Sequence, residues 1–91
     1  MLLTPEDITQ RVAHLPEWRL EGQTLRRDYR FADFMAAIAF VNRVVEPAEA
    51  AGHHPDITIS YNRVTLILTT HDAGGLTAKD FDLATVLNSL T

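Results

Sequence analysis

Behind Thr4-Pro5-Glu6-Asp7, apolar residues recur at helical spacing at Ile8, Val12 and Leu15 and stop at Pro16. Thr4 suits an N-cap, Pro5 has its φ preset for the first turn, and two carboxylates face the positive end of the dipole. From Trp18 the period changes to two: Trp18 and Leu20, then Leu25, Tyr29 and Phe31, alternate around Glu21-Gly22-Gln23. That pattern predicts a β-hairpin, with Gly22 free to take positive φ. Asp33 then caps a long helix in which Phe34, Ile38, Val41, Val45 and Ala48 form one apolar face. Pro47 removes a hydrogen bond at a cost of about 3 kcal/mol, so a kink or break is expected near Glu46, before Gly52.

Ile57, Ile59 and Tyr61, and then Val64, Leu66 and Leu68, alternate with polar residues or with Ile67 and read as two strands. Asn62-Arg63 is the expected turn, because asparagine tolerates positive φ. Asp72-Ala73-Gly74-Gly75 is expected to be a flexible connector. Thr77-Ala78-Lys79-Asp80 resembles a capping box opening a last helix with Phe81, Leu83, Ala84, Leu87 and Leu90. The order α-ββ-α-ββ-α over residues 1–91 implies a single α+β domain, a four-stranded antiparallel sheet with helices on one face.

Composition narrows the function. A chain of 91 residues buries only roughly 60–65% of its unfolded surface, so association with further copies is expected. Twelve acidic against eight basic residues, with no basic run longer than Arg26-Arg27, give no indication of direct nucleic-acid binding. The absence of cysteine excludes disulfides, thiolate ligands and a cysteine nucleophile. No stretch approaches the roughly 18 apolar residues that cross a bilayer, and the opening MLLTPEDITQ lacks a leader's charge pattern. A cytoplasmic, soluble protein is the expectation.

Candidate chemistry concentrates between Glu49 and Asp72, which hold three of the four histidines: His53, His54 and His71. With a turn at Asn62-Arg63, Ile57 faces Leu68, Ile59 faces Leu66, Tyr61 faces Val64 and, by extension, His54 faces His71. A slip of one residue pairs His53 with His71 instead. Imidazoles titrating near neutral pH, with Glu49 upstream and Asp80 at a helix start, could perform general acid-base chemistry. Solvated strand-end histidines are the plainer reading. A three-histidine zinc site with Glu49 is chemically open, but no H-x-H or H-x3-H spacing supports it. His14 reads as a surface residue, Asp80 as a capping carboxylate even without another role, and Arg26, Arg27 and Lys79 as solvated charges.

Taken together, Glu49, His53-His54-Pro55, Tyr61-Asn62-Arg63-Val64, Leu68-Thr69-Thr70-His71, Gly75-Leu76-Thr77 and Asp80 with Leu83-Ala84 resemble the signature of the pterin-4a-carbinolamine dehydratases. Leu15-Pro16-Glu17-Trp18 and the Phe31 to Val41 segment extend the resemblance over nearly the whole chain. The resemblance implies a hydro-lyase that needs neither metal nor cofactor. It would convert 4a-hydroxytetrahydropterin to quinonoid dihydropterin, in tetrahydrobiopterin recycling for aromatic amino acid hydroxylases. It further implies His53 and His71 as the acid-base pair, His54 on the pterin ring, Asp80 orienting an imidazole, and Glu49 and Thr70 as substrate contacts.

Homodimers or homotetramers are implied as well. So is an alternative: a non-catalytic assembly or binding module, like the animal members that serve as transcription-factor dimerisation cofactors or the bacterial relatives associated with Rubisco assembly. Two departures stand out. Ile57 occupies a commonly aromatic position and is expected to face the core, and Pro47 could displace Glu49.

Overall fold

In a computed structural model covering Met1–Thr91, the elements follow the expected order. Helix α1 (Pro5–Ala13) starts at Thr4, whose hydroxyl accepts the Asp7 N–H. Strands β1 (Arg19–Glu21) and β2 (Thr24–Arg30) turn at Gly22, which has φ 60°. Helix α2 (Phe34–Ala51) is capped by the Asp33 side chain, strands β3 (Asp56–Ser60) and β4 (Arg63–Leu68) follow, and α3 (Ala78–Asn88) closes the chain.

The strands form one antiparallel sheet in the order β1-β2-β4-β3, which leaves β3 as its long free edge. Leu25 and Tyr29 of β2 and Val64, Leu66 and Leu68 of β4 turn to the helices and are buried with Phe40, Val44, Phe81, Leu83 and Leu87. Trp18, buried to 2% exposure, donates its indole N–H to Asn88 Oδ1 at 2.8 Å. Arg27 donates to the same oxygen at 2.7 Å, so the end of α3 is tied to β2 and to the residue that precedes β1.

Several sequence expectations need correction. The second hairpin turns at Tyr61-Asn62: Ile57 is opposite Leu66 and Ile59 opposite Val64, two residues away from the expected pairing. Tyr61 takes the left-handed conformation, φ 55°, despite a penalty of roughly 1–2 kcal/mol for a non-glycine residue. What holds it is a reciprocal pair across the sheet. Asn62 C=O accepts the Phe31 N–H at 2.8 Å and Asn62 Nδ2 donates to the Phe31 carbonyl at 2.9 Å, so Asn62 is anchored to the end of β2.

Helix α2 runs unbroken through Pro47. The carbonyl deprived of its partner belongs to exposed Arg43, where water can bond it, while Ala48 just beyond is buried at 4% exposure and anchors the last turn. The buried face of α2 is Ala37, Phe40, Val44 and Ala48 rather than the stripe led by Phe34, which leaves Phe34 and Val45 about half exposed. The small side chains of Ala37 and Ala48 let the helix approach the layer beneath while Phe40 fills the space between them. Finally, Ile57 is 39% exposed: it lies on the helix side of the sheet, but on the edge strand beyond the helices' cover.

Candidate active site

His53 is positioned by the way α2 stops. Gly52 adopts φ 61°, its N–H bonds back to the Ala48 and Glu49 carbonyls, and the His53 N–H reaches Ala48 C=O at 3.1 Å. This is a Schellman ending, which reverses the chain, and the His53 ring meets Asp80 at the start of α3. Pro55 then confines His54 to extended backbone, and β3 begins at Asp56.

His71 arrives from the other side. Beyond β4 the chain passes Thr69 and Thr70 into a short 3-10 turn, His71–Ala73. Its base is closed by bonds in both directions between Thr70 and Gly75, N–H to C=O at 3.1 and 3.3 Å, with Gly74 at φ 77°. The expected flexible connector is thus a clamped loop. His71 is exposed.

Asp80 stands behind His53. As the third residue of α3 it accepts the Thr77 N–H on Oδ2 at 2.9 Å, completing a capping box. The same oxygen accepts the Thr70 hydroxyl at 2.8 Å, and Thr70 Oγ1 lies 2.8 Å from Thr77 Oγ1. Oδ1 meets His53 Nε2 at 2.6 Å. The carboxylate is fully buried and the His53 side chain is 11% exposed. With the proton of neutral His53 on Nε2, facing Asp80, the ring leaves Nδ1 as its basic nitrogen.

The three histidines line one open, polar depression of about 330 Å³, with Thr69, Thr70 and Lys79 on its walls. The expected cross-strand pairing of His54 with His71 does not occur. The register turns at Tyr61-Asn62, and both adjacent histidines precede β3. The convergence comes from a helix ending and a clamped loop instead. His54 Nε2 meets Glu49 Oε2 at 2.5 Å, both well exposed, and Glu49 reaches the depression only through His54.

Thr70 is engaged with Asp80 and Thr77 as well as lining the wall. His14 caps α1 far along the chain, its Nδ1 2.9 Å from the Gln10 carbonyl. No three His, Asp or Glu side chains converge so as to hold a metal ion.

Two contributors were not anticipated from the sequence. Thr77 was expected only as a helix cap, yet its hydroxyl joins the network behind His53; the clamp that brings Thr70 to it is a long-range feature with no local signature. Lys79, read as a solvated charge, stands at the rim because it immediately precedes Asp80 in the first turn of α3.

A family model described as pterin 4 alpha carbinolamine dehydratase matches residues 1–90. A protein of a Cyanothece species is 60% identical over 90 residues, 99% of this chain and 93% of its own; one from Thermosynechococcus vestitus is 57% identical over 88, covering 97% and 93%. Both are provisionally named pterin-4-alpha-carbinolamine dehydratases. Among solved structures, a transcriptional coactivator/pterin dehydratase from Brucella melitensis superposes with a TM-score of 0.92 at 30% identity, covering 99% and 98% of the two chains. A pterin dehydratase-like protein identified as a RuBisCO assembly factor in the alpha-carboxysome shares the fold, with a TM-score of 0.68 at 22% identity over 81% and 88%. With its fold, its histidine-lined depression and matches along its whole length, the chain belongs to the pterin-4a-carbinolamine dehydratase family of hydro-lyases.

Proposed function

We propose that this protein dehydrates 4a-hydroxytetrahydropterin to quinonoid dihydropterin by histidine acid-base catalysis. The observation that carries the reading is the convergence of His53, His54 and His71 on one depression, with His53 backed by the buried carboxylate of Asp80. In the reaction the C4a–O bond breaks with its electron pair on oxygen, the N5–H proton leaves, and the freed N5 pair forms the C4a=N5 double bond. Water is the only other product.

His53 takes the N5 proton: Asp80 both fixes the tautomer that leaves Nδ1 basic and stabilises the imidazolium that results. His71, exposed on its clamped turn, delivers the proton to the departing hydroxyl. His54, braced by Glu49, and Thr70 contact the pterin ring. The setting for such an activity is pterin recycling beside an aromatic amino acid hydroxylase.

Copies of the chain associate in this reading. Every residue of edge strand β3 is exposed, Ile57 and Ile59 among them, and Phe34 and Val45 form a second uncovered apolar stripe on α2. A monomer mass by light scattering across micromolar concentrations would contradict that part.

The deciding experiment adds purified protein to freshly generated 4a-hydroxytetrahydropterin and follows its decay in the ultraviolet. Acceleration over the spontaneous rate, lost in His71→Ala, is expected. No acceleration would shift the reading to a non-catalytic assembly or binding module.

A further inference from the structure

The sheet face turned away from the helices is electrically divided. Toward β1 its arginines are neutralised: Arg19 and Arg26 share Glu21 and Asp28 through ion pairs at 3.2–3.3 Å, and Thr65 donates to Asp28 at 2.7 Å. The row at the hairpin end is different. There Arg30 stands directly opposite Arg63, and Arg63 opposite Ser60. Both arginines are exposed, and neither guanidinium joins any of the chain's ion pairs.

Like charges facing each other across one sheet face repel. The chain has acids to spare, with a net charge of -4, yet none neutralises this row. A concavity of about 470 Å³ opens over it, walled by Arg26, Arg30, Arg63, Thr58 and Ser60, with Asp28 on its β1 side. It lies at the hairpin end of β4, about 17 Å along the strand from Leu68 at 3.3 Å per residue, and His71 lies beyond Leu68.

We propose that Arg30 and Arg63 form a binding site for a phosphate-bearing small molecule. Two guanidinium forks approaching from neighbouring strands offer paired donors on two sides, which suits a group with at least three acceptor oxygens and about two negative charges. A phosphoryl group meets both requirements and cancels the repulsion. The Ser60 and Thr58 hydroxyls supply further donors, and Asp28 repels the anion from the β1 side, which confines it to the arginine row. The concavity leaves room beside a phosphoryl group for the rest of a small molecule.

The test is thermal melting of the full chain in dilute buffer with millimolar pyrophosphate, against sodium chloride at matched ionic strength, in wild type, Arg30→Gln and Arg63→Gln. Pyrophosphate should raise the wild-type Tm about 3–5 °C beyond chloride. Each variant should melt higher than wild type without anion, because the repulsion is gone, and should lose the pyrophosphate-specific rise while keeping dehydratase activity. An equal rise with matched chloride would reduce the effect to screening and overturn the site, as would a full response in either variant. Stabilisation by citrate but not pyrophosphate, or binding of a single-stranded oligonucleotide without any pyrophosphate response, would overturn the phosphate assignment.

Discussion

His53 and Asp80 are joined, Nε2 to Oδ1 at 2.6 Å, while the second oxygen of that carboxylate holds the start of α3 through the Thr77 N–H. One buried side chain therefore links the orientation of an imidazole to the integrity of a helix terminus, and the two roles can be separated by substitution.

Asp80→Asn is expected to fold and to lose activity. Its carbonyl oxygen can still accept from Thr77 and Thr70, but its NH2 would face His53 Nε2 and force the proton onto Nδ1. The dehydration rate should fall about 100-fold or more, whereas stability should drop by no more than about 1–2 kcal/mol. Ultraviolet decay assays and urea unfolding on the same preparation give both numbers.

Thr70→Val removes the hydroxyl that donates to Asp80 Oδ2 at 2.8 Å, and Thr70→Ser keeps it. A hydrogen bond to a charged group contributes about 1.5–3 kcal/mol. The valine variant should lose stability in that range and lower kcat, with the serine variant restoring both. A change confined to KM would assign Thr70 to substrate contact alone.

Pro47→Ala should stabilise the protein. Because α2 is continuous through residue 47, alanine restores the missing bond to the Arg43 carbonyl without moving Glu49. A gain of about 1–3 kcal/mol in urea denaturation is expected, reduced from the intrinsic proline penalty by the greater entropy of the unfolded chain. Unchanged dehydratase activity would show that Pro47 does not set the position of Glu49.

Asp28 predicts the acid limb of stability. The Thr65 hydroxyl holds its carboxyl below the ordinary value of 3.8; burial opposes this, and the neighbouring Arg26 and Arg19 add to the lowering. A depressed folded-state pKa contributes stability that is present above the unfolded pKa and lost as pH falls through the folded one. Wild type should therefore melt above Asp28→Asn at pH 6, and the difference should shrink as the pH is taken below 3.8. A constant gap across that window would remove ionisation of Asp28 as its cause.

Much of the fold was legible because its signals are local. Thr4, Asp33 and Thr77 cap the three helices as their chemistry requires, and the alternation in β2 and β4 marks the buried face. What escaped prediction depends on distant partners. Nothing near Tyr61 announces that Asn62 will bond both backbone groups of Phe31, so the turn was placed one residue late and the cross-strand register two residues off.

Helix α2 carries two apolar stripes, and only packing against the other layers selects the one with Ala37 and Ala48. For the candidate site, the cluster of His53, His54 and His71 that lines the depression was visible in the sequence. The reason they meet was not: the expected pairing of His54 with His71 gave way to a glycine-terminated helix on one side and the Thr70–Gly75 clamp on the other.

The glycine ending has a consequence for how this scaffold tolerates change. Because His53 is the first residue past left-handed Gly52, its direction is indexed to the length of α2. One residue inserted or deleted before Gly52 would swing the helix end by about 100° and carry the imidazole away from Asp80. The Tyr61-Asn62 turn lies at the far end of the sheet and carries no such gauge. Length variation in this protein is therefore compatible with the active site at the hairpin and incompatible with it in the last turns of α2.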